Sequence, residues 1–408
     1  MAARAGKLRR VSSPGRSHPT RAVRRRRAAL LGVLVAALVA GAAVGAGGGS
    51  ESGGASAPTT MTDSGAGVPS TALEQARAEV ARMPLRQQVG ELLIIAFPGT
   101  RAPGYVLRAL HEGRVAGVIL FGGNAPSAAS VRALTASLRR GAGSGPPPII
   151  CLDQEGGTIR TLRFAPSTVG QAGQRTPAAA RAAAAATARG LRNVGVNVVL
   201  GPVADVAAGT RGSIMASRAY PGGASAVAAS VRAATAAYLH AGVLPVVKHF
   251  PGLGGATVNT DDTPATIGRS RAQLAADLLP FRTAIDAGVP LVMLNHARYP
   301  ALDAARIASQ SHTIATDLLR GELGFDGVAM TDSLEAAAAL RPTGGDVGAG
   351  AVRSLRAGAD LLLMTGPGSF PLVRDAVTAT ARRSPAVRAR VAEAAARVLA
   401  LRRTGLGR

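Results

Sequence analysis

The sequence predicts an α/β protein whose body, residues 70–408, folds as a (β/α)8 barrel, the TIM barrel. Eight short, continuously apolar runs alternate there with longer helical patterns rich in Ala, Leu and Arg. Such strands between helices are typical of a parallel sheet covered on both faces. Eight strand–helix units in about 330 residues fit a barrel. An open sheet of the dinucleotide-binding kind would carry G-x-G-x-x-G after its first strand, and that motif does not follow the first run.

The eight runs are taken as the barrel strands in chain order. Several of the helical patterns between them end in glycine just before the next run, as expected at a helix C-terminus. The runs are LLIIAF (92–97), GVILF (117–121), PIICLD (148–153), NVVLGPVAD (197–205), LPVVKHF (244–250), PLVMLNH (290–296), GVAMTD (327–332) and ADLLLM (359–364).

Three segments of different composition precede the predicted barrel. Residues 1–27 form a basic tail with ten basic residues and no acid, residues 28–46 are apolar, and residues 47–69 are a Gly/Ser-rich stretch typical of a flexible linker. A basic stretch before about 19 apolar residues is typical of a signal peptide or a membrane anchor. The tail is then expected to stay in the cytoplasm, with the body extracellular or at the cell surface. The sequence leaves cleavage of 28–46 open, and membrane contact is expected through that segment alone.

The composition limits the partners that the body can have. The formal net charge is +24, but the body shows no dense basic run and no interleaving of basic and aromatic residues, which argues against a nucleic-acid-binding protein. A solvated Arg-rich surface is one interpretation, and attraction to an anionic cell-wall polymer is the other. The single cysteine, Cys151, stands in an apolar run and is predicted to be a buried, inert thiol.

Polar residues cluster where the predicted strands end, the face of a barrel at which active sites lie. Asp153 ends the third strand, Lys248 and His249 the fifth, His296 the sixth and Asp332 the seventh. Two carboxylates in one cleft are the equipment of glycoside hydrolysis. Asp332 is expected to be the nucleophile, because the end of an apolar strand holds its carboxylate rigidly. Asp153 also ends a strand and is expected to accept hydrogen bonds from sugar hydroxyls. The Lys248 ammonium would orient a hydroxyl or lower the pKa of a carboxylate.

Three motifs give the body a family resemblance. LDQEGG (152–157), KHFPG (248–252) and GELGFDGVAMTDSL (321–334) resemble glycoside hydrolase family 3, and most closely its bacterial single-domain β-N-acetylhexosaminidases, over residues 75–403. The resemblance implies a retaining exo-glycosidase that removes terminal β-linked N-acetylglucosamine from peptidoglycan or chitin fragments through a covalent intermediate on Asp332. It also implies that Asp153, Arg218, Lys248 and His249 bind the sugar, and it implies no metal or organic cofactor.

The loop after KHFPG departs from the family pattern. Hexosaminidases of the family carry an Asp-Ser-His triplet there whose His is the acid/base, and counting from Lys248 places Asn259, Thr260 and Asp261 on it. Asp261 is therefore expected to be the acid/base, with Asp262 as the alternative and Asn259 positioning the loop. A neighbouring carboxylate would raise the pKa of the acid as this role requires. His296 is a further candidate, although a place in the pocket wall fits it better.

Two further departures leave the sugar preference open. The family usually has an arginine eight residues after the aspartate of DQEGG, and this chain has Thr161 there. Arg160 and Arg163 lie nearby, and Arg163 is expected to bind substrate in its place. In the KHFPG loop, Leu253 occupies a position where many family members have a histidine. A β-glucosidase-like activity therefore stays open. So does a catalytically weak carbohydrate-binding barrel at the cell surface.

Overall fold

A computed structural model describes residues 70–406 of the chain. The predicted tail, apolar segment and linker lie in residues 1–69, outside the described residues. Between residues 70 and 406, no helix combines the length and the apolar character that crossing a bilayer requires.

The predicted barrel is confirmed. All eight apolar runs contain a parallel strand, and the strands are hydrogen-bonded in the order β7-β6-β5-β4-β3-β2-β1-β8. A parallel bridge between Met330 and Leu361 joins the two outer strands, so that the sheet comes close to full closure. The strands are β1 (Leu93–Ile95), β2 (Gly117–Ile119), β3 (Ile149–Leu152), β4 (Val198–Val199), β5 (Leu244–Phe250), β6 (Leu291–Leu294), β7 (Val328–Thr331) and β8 (Leu362–Met364).

Two helices precede β1, and the others lie between or after the strands; together they cover the outside of the barrel. They are α1 (Ser70–Val80), α2 (Leu85–Gly90), α3 (Gly104–His111), α4 (Ala128–Gly141), α5 (Pro177–Arg192), α6 (Ala224–His240), α7 (Arg271–Asp286), a π-helix (Thr313–Glu322), α8 (Ala337–Leu340), α9 (Val347–Ala357), α10 (Ser369–Arg383) and α11 (Pro385–Gly405). Short 3-10 turns lie at Gly122–Asn124, Gln171–Gly173, Ala308–Gln310 and Arg341–Thr343. Hairpins follow β3 (Gln154–Gly156 with Ile159–Arg160) and β6 (Arg298–Tyr299 with Asp303–Ile307).

Local sequence sets the helix ends. The Thr176 side chain accepts the Ala179 N–H at the start of α5, and Ser270 with Gln273 forms a reciprocal capping box on α7. Gly242 and Gly288 follow α6 and α7 with φ of +69° and +76°. Glycine adopts this backbone without the steric cost that a Cβ would add, which agrees with the glycines expected at helix ends.

The side chains of each strand alternate between two cores. Ile94, Cys151, Met293 and Met330 pack with one another inside the barrel, whereas neighbours such as Leu93 pack between the sheet and the helices. The predicted burial of Cys151 is confirmed, and burial raises the pKa of its thiol far above neutral pH. A thiol held in its neutral form is a poor nucleophile.

A buried carboxylate ties the closing strands to the helical layer. Asp360 accepts hydrogen bonds from the Ala329 N–H of β7 at 2.9 Å, from Arg320 Nη2 of the π-helix at 2.5 Å and from Arg390 Nη2 of α11 at 2.6 Å. Burial acts to raise the pKa of Asp360, but the charges of Arg320, Arg390 and Arg397 outweigh it, and the pKa lies below its usual value.

Replacing Asp360 by Ala is expected to lower the free energy of unfolding by about 3 to 5 kcal/mol. The change leaves the partly buried Arg320 without a carboxylate, and Arg390 and Arg397 with Glu393 alone. Since the folded-state pKa is depressed, the wild-type stabilisation is full above the unfolded carboxyl pKa of about 3.9 and is lost as pH falls through the folded value. Chemical denaturation at pH 7, and at pH values lowered stepwise from about 4 to about 2, measures both effects. Asp375→Ala is the control, because Asp375 forms an exposed pair with Arg374 and such pairs contribute about 0 to 1 kcal/mol. Equal losses in the two variants would contradict this account of Asp360.

Candidate active site

A cavity of about 410 Å³ opens at the carboxyl ends of the barrel strands. Its floor is apolar and its walls carry the charged residues of the strand ends and of the loop after KHFPG. The lining residues are Ile119, Phe121, Asp153, Ile159, Leu200, Met215, Arg218, Lys248, His249, Leu253, Asn259, Thr260, Asp261, Met293, Asp332, Ser333, Glu335, Ala336, Leu363 and Thr365. A concave space with a few converging polar groups is the form of a small-molecule site.

One wall of the cavity is a fixed cluster of alternating charges. The Lys248 ammonium is buried and contacts Asp153 Oδ1 at 2.6 Å and Glu155 Oε1 at 2.7 Å. Arg218 donates to both oxygens of Glu155, at 2.9 and 2.7 Å. Burial acts to raise the pKa of Glu155, but Lys248 and Arg218 outweigh it and lower the pKa to about 2. Glu155 therefore stays ionised and holds both cations, while Asp153 remains partly exposed to the cavity.

His249 is oriented by a second buried carboxylate. Its Nδ1 donates to Asp205 Oδ2 at 2.7 Å, and Asp205 Oδ1 accepts the Leu253 N–H at 2.6 Å. The Nε2 atom of His249 lies 3.4 Å from Arg218 Nη2. The KHFPG turn is therefore anchored through Asp205, which holds the imidazole against the charged wall.

Asp332 follows β7 directly and faces the same cavity. Its Oδ1 accepts the Ser333 N–H at 2.8 Å. Burial acts to raise the pKa of Asp332, but the His249 and His296 rings and this hydrogen bond outweigh burial, so the pKa lies below its usual value. The carboxylate is thus ionised and held in place at neutral pH.

The loop after KHFPG brings Asp261 to the cavity. The carbonyls of Thr260 and Asp261 accept the N–H groups of Ala338 and Ala337 at 3.1 and 3.0 Å, which ties the loop to the segment that follows Asp332. Asn259 Oδ1 accepts the Asp261 N–H at 3.2 Å. Partial burial and the negative charge of Asp332 raise the pKa of Asp261. Two carboxylates with oppositely shifted pKa values therefore face one cavity.

Three of the predicted site residues lie elsewhere. Asp262 is exposed, as Asp261 is, but it does not line the cavity. Its Oδ2 accepts a hydrogen bond from Asn259 Nδ2 at 3.3 Å. Arg163 is exposed beyond the hairpin after β3 and is not part of the cavity wall. His296 is fully buried outside the wall, with Nε2 donating to the Ser333 carbonyl at 2.8 Å and Nδ1 paired with Ser309 Oγ at 2.7 Å. Both ring nitrogens are thus engaged by protein groups, and His296 supports the backbone beside Asp332.

The structure adds residues that the sequence reasoning did not assign. Glu155 lies inside the DQEGG motif and Asp205 ends the fourth apolar run, but their roles depend on partners 93 and 44 residues away along the chain. Thr365 directly follows β8 and lines the cavity. The rule that strand ends carry the site would have found Asp205 and Thr365 if it had been applied to all eight strands.

The chain is similar to known glycoside hydrolases. The model of the glycosyl hydrolase family 3 N-terminal domain matches residues 84–401. A beta-hexosaminidase of Xanthomonas oryzae pv. oryzae is 35% identical over 287 residues, covering 68% of this chain and 84% of that protein. An uncharacterized secreted glycosyl hydrolase of Arthroderma benhamiae is 35% identical over 294 residues, covering 69% of this chain and 82% of that protein.

A solved structure has the same fold. The family 3 beta-N-acetylglucosaminidase of Paenibacillus sp. str. FPU-7 superposes with a TM-score of 0.74 and 33% identity, over 80% of this chain. The match spans 64% of the length of that protein.

Proposed function

The chain belongs to glycosyl hydrolase family 3, and from that premise we propose that it is a retaining exo-β-N-acetylhexosaminidase. Its substrate is terminal β-linked N-acetylglucosamine on cell-wall or chitin-derived oligosaccharides. The observation that carries the proposal is the pair of carboxylates in one cavity, Asp332 with a lowered pKa and Asp261 with a raised pKa. Such a divergence separates a nucleophile from an acid. The relatives named for this activity support the choice of sugar.

Asp332 acts as the nucleophile. One of its carboxylate oxygens forms a bond to the anomeric carbon while the bond from that carbon to the leaving oxygen breaks. The Ser333 N–H and the nearby His249 ring keep the carboxylate ionised and aligned. The intermediate is a glycosyl ester of Asp332.

Asp261 acts as the acid and then as the base. In its protonated form it gives its proton to the leaving oxygen, which departs as an alcohol. As a carboxylate it then takes a proton from the water that attacks the anomeric carbon and releases Asp332. The raised pKa of Asp261 keeps its proton available at a higher pH than for an ordinary aspartate.

The charged wall binds the sugar that is cleaved off. Asp153 accepts hydrogen bonds from sugar hydroxyls with the oxygen that Lys248 leaves free. Beside it Arg218 supplies donors, and His249, whose Nδ1–H goes to Asp205, presents Nε2 as an acceptor. Because Lys248, Glu155 and Asp205 fix these groups before substrate arrives, little ordering is needed on binding.

The activity test uses the full chain with 4-nitrophenyl β-glycosides. We expect hydrolysis of the N-acetylglucosaminide at least about tenfold faster than that of the glucoside. Proton NMR during early turnover should show the β-anomer of the sugar forming first, as retention requires. The α-anomer first would refute retention, and a faster glucoside would indicate a β-glucosidase. Sugar binding without turnover of any glycoside would indicate a carbohydrate-binding barrel.

We further propose that residues 28–46 direct the barrel, residues 70–408, out of the cytoplasm, with 1–27 left inside and 47–69 as the tether. The secreted relative of Arthroderma benhamiae and the sugar substrate support this location. Residues 1–27 contribute ten of the positive charges behind the chain's net charge of +24. The basic excess that remains in the body would also attract it to anionic wall polymers, in a salt-dependent manner.

A further inference from the structure

A second, larger groove adjoins the catalytic cavity. It has a volume of about 820 Å³ and lies at the carboxyl ends of β1, β2 and β8, on the same face of the barrel. The side chains of Phe121 and Thr365 line both spaces. A ligand that fills the catalytic cavity and continues past Phe121 therefore enters this groove.

The groove concentrates the aromatic residues of the chain. The sequence has seven Phe, four Tyr and no Trp, and four of these eleven rings line the groove: Phe97, Tyr105, Phe121 and Phe370. Tyr105 and Phe121 remain 43% and 39% exposed. Exposed rings gathered in one concave site are a mark of ligand binding. A flat ligand with an apolar face buries a large area against them.

The groove is also formed before ligand binds. Asn124 Nδ2 donates to the carbonyls of Phe97 and Gly99 at 3.0 and 2.6 Å, and Asn124 Oδ1 accepts the Phe121 N–H at 2.8 Å. The loops after β1 and β2 are thus tied together behind the rings. On the other side, the Thr365 N–H donates to Glu335 Oε2 at 2.9 Å, which fixes the shared wall.

Most of the arginines that line the groove already have an acidic partner, so the aromatic rings are the main groups left to contact a ligand. Arg114 pairs with Glu112 at 2.7 Å, and Arg374 pairs with Asp375 at 2.8 Å while its guanidinium lies 5.5 Å from the Phe370 ring centroid. Of the three arginines in the groove, two therefore already have an acidic partner. A neutral sugar, with one apolar face and hydroxyls at its edge, suits such a surface.

We propose that this groove binds the leaving-group sugars of the substrate, with Phe121 and Tyr105 as stacking platforms, and that a sugar chain therefore binds more tightly than a single sugar. The groove has twice the volume of the catalytic cavity. If the cavity holds the one terminal sugar, the groove has room for about two more. This inference rests on the proposed function, because it takes the cavity to hold the sugar that is cleaved off.

The test measures binding and turnover separately. Binding of N-acetylglucosamine and of its β-1,4-linked tetrasaccharide is measured by calorimetry on full-length Asp332→Asn, which leaves the ligand intact. We expect the tetrasaccharide to bind at least about tenfold more tightly than the monosaccharide, and Tyr105→Ala in the same background to remove about tenfold of that affinity. In the active protein, Tyr105→Ala should lower kcat/KM for the tetrasaccharide relative to that for the 4-nitrophenyl glycoside.

Phe164→Ala is the matched control, because Phe164 is also 43% exposed but lines neither space. Equal affinity for the two sugars, or equal losses in the Tyr105 and Phe164 variants, would overturn the groove proposal even if the aryl glycoside is hydrolysed. Absence of all hydrolysis, with the affinity difference and its loss in Tyr105→Ala intact, would overturn the proposed activity and retain the groove as a binding site for sugar chains.

Discussion

Asp332→Asn is expected to reduce kcat on the aryl N-acetylglucosaminide by about four orders of magnitude or more, because the amide cannot form the covalent intermediate. The change keeps the size of the side chain, and the Asn carbonyl oxygen can still accept the Ser333 N–H that Asp332 Oδ1 accepts at 2.8 Å. Sugar binding through Asp153, Arg218 and His249 should therefore persist. Steady-state kinetics and calorimetric sugar binding on the same preparation measure the two effects.

A trapping experiment identifies the bond itself. A 2-fluoro sugar with a good leaving group slows release of the intermediate, so mass spectrometry of the digested wild-type protein should find the label on the peptide that carries Asp332. Glu335→Gln is the control, since Glu335 lines the same cavity three residues later and its Oε2 already accepts the Thr365 N–H; it should still be labelled at Asp332. Label on another carboxylate, or Asp332→Asn activity within tenfold of wild type, would contradict the assignment.

The strands show how far the sequence predicts the fold. The run at 244–250 matches β5 residue for residue, because seven consecutive buried positions leave little freedom in register. The run at 197–205 yields a strand only at Val198–Val199. Pro202 cannot donate a ladder hydrogen bond, and the chain after β4 makes only an isolated bridge between Val203 and Lys248. Apolar runs therefore predict which segments enter the barrel better than they predict where pairing stops.

The site residues show a different limit. Strand ends placed Asp153, Lys248, His249 and Asp332 correctly at one cavity, because the barrel fixes where strands end. The position of His296 at a strand end does not indicate that its side chain contacts Ser309 rather than the cavity. Successive side chains of a strand point to opposite faces of the sheet, and a strand end alone does not say which face a residue takes.

In the irregular segments, the position of a residue along the sequence is a weaker predictor of which side chains reach the site. Arg163 is predicted to bind substrate because it lies two residues after Thr161, the position at which the family usually has an arginine. The hairpin after β3, however, folds back, with the Thr161 N–H donating to the Asp153 carbonyl at 2.9 Å. That turn leaves Arg163 in solvent. Such reversals depend on tertiary hydrogen bonds that a count along the sequence does not contain.

Asp261→Asn is expected to have the second-largest effect, and one that depends on the leaving group. Hydrolysis of a natural oligosaccharide, whose sugar alcohol needs a proton to depart, should fall by about 10² to 10⁴-fold. Formation of the intermediate from a dinitrophenyl glycoside should change little, because that leaving group departs without a proton. Azide should then speed turnover and yield a β-glycosyl azide, since it attacks the intermediate without a general base.

The pH dependence of activity tests the assignment of Asp261 as the acid independently. Asp332 must be ionised and Asp261 protonated, so activity should fall as pH decreases through the lowered pKa of Asp332 and as pH increases through the raised pKa of Asp261. Asp261→Asn should remove the alkaline limb and leave the acid limb in place. Asp262→Asn, at the neighbouring exposed carboxylate that pairs with Asn259, should retain both limbs. If the alkaline limb persists in Asp261→Asn but disappears in Asp262→Asn, the acid is Asp262 and the loop must rearrange when substrate binds.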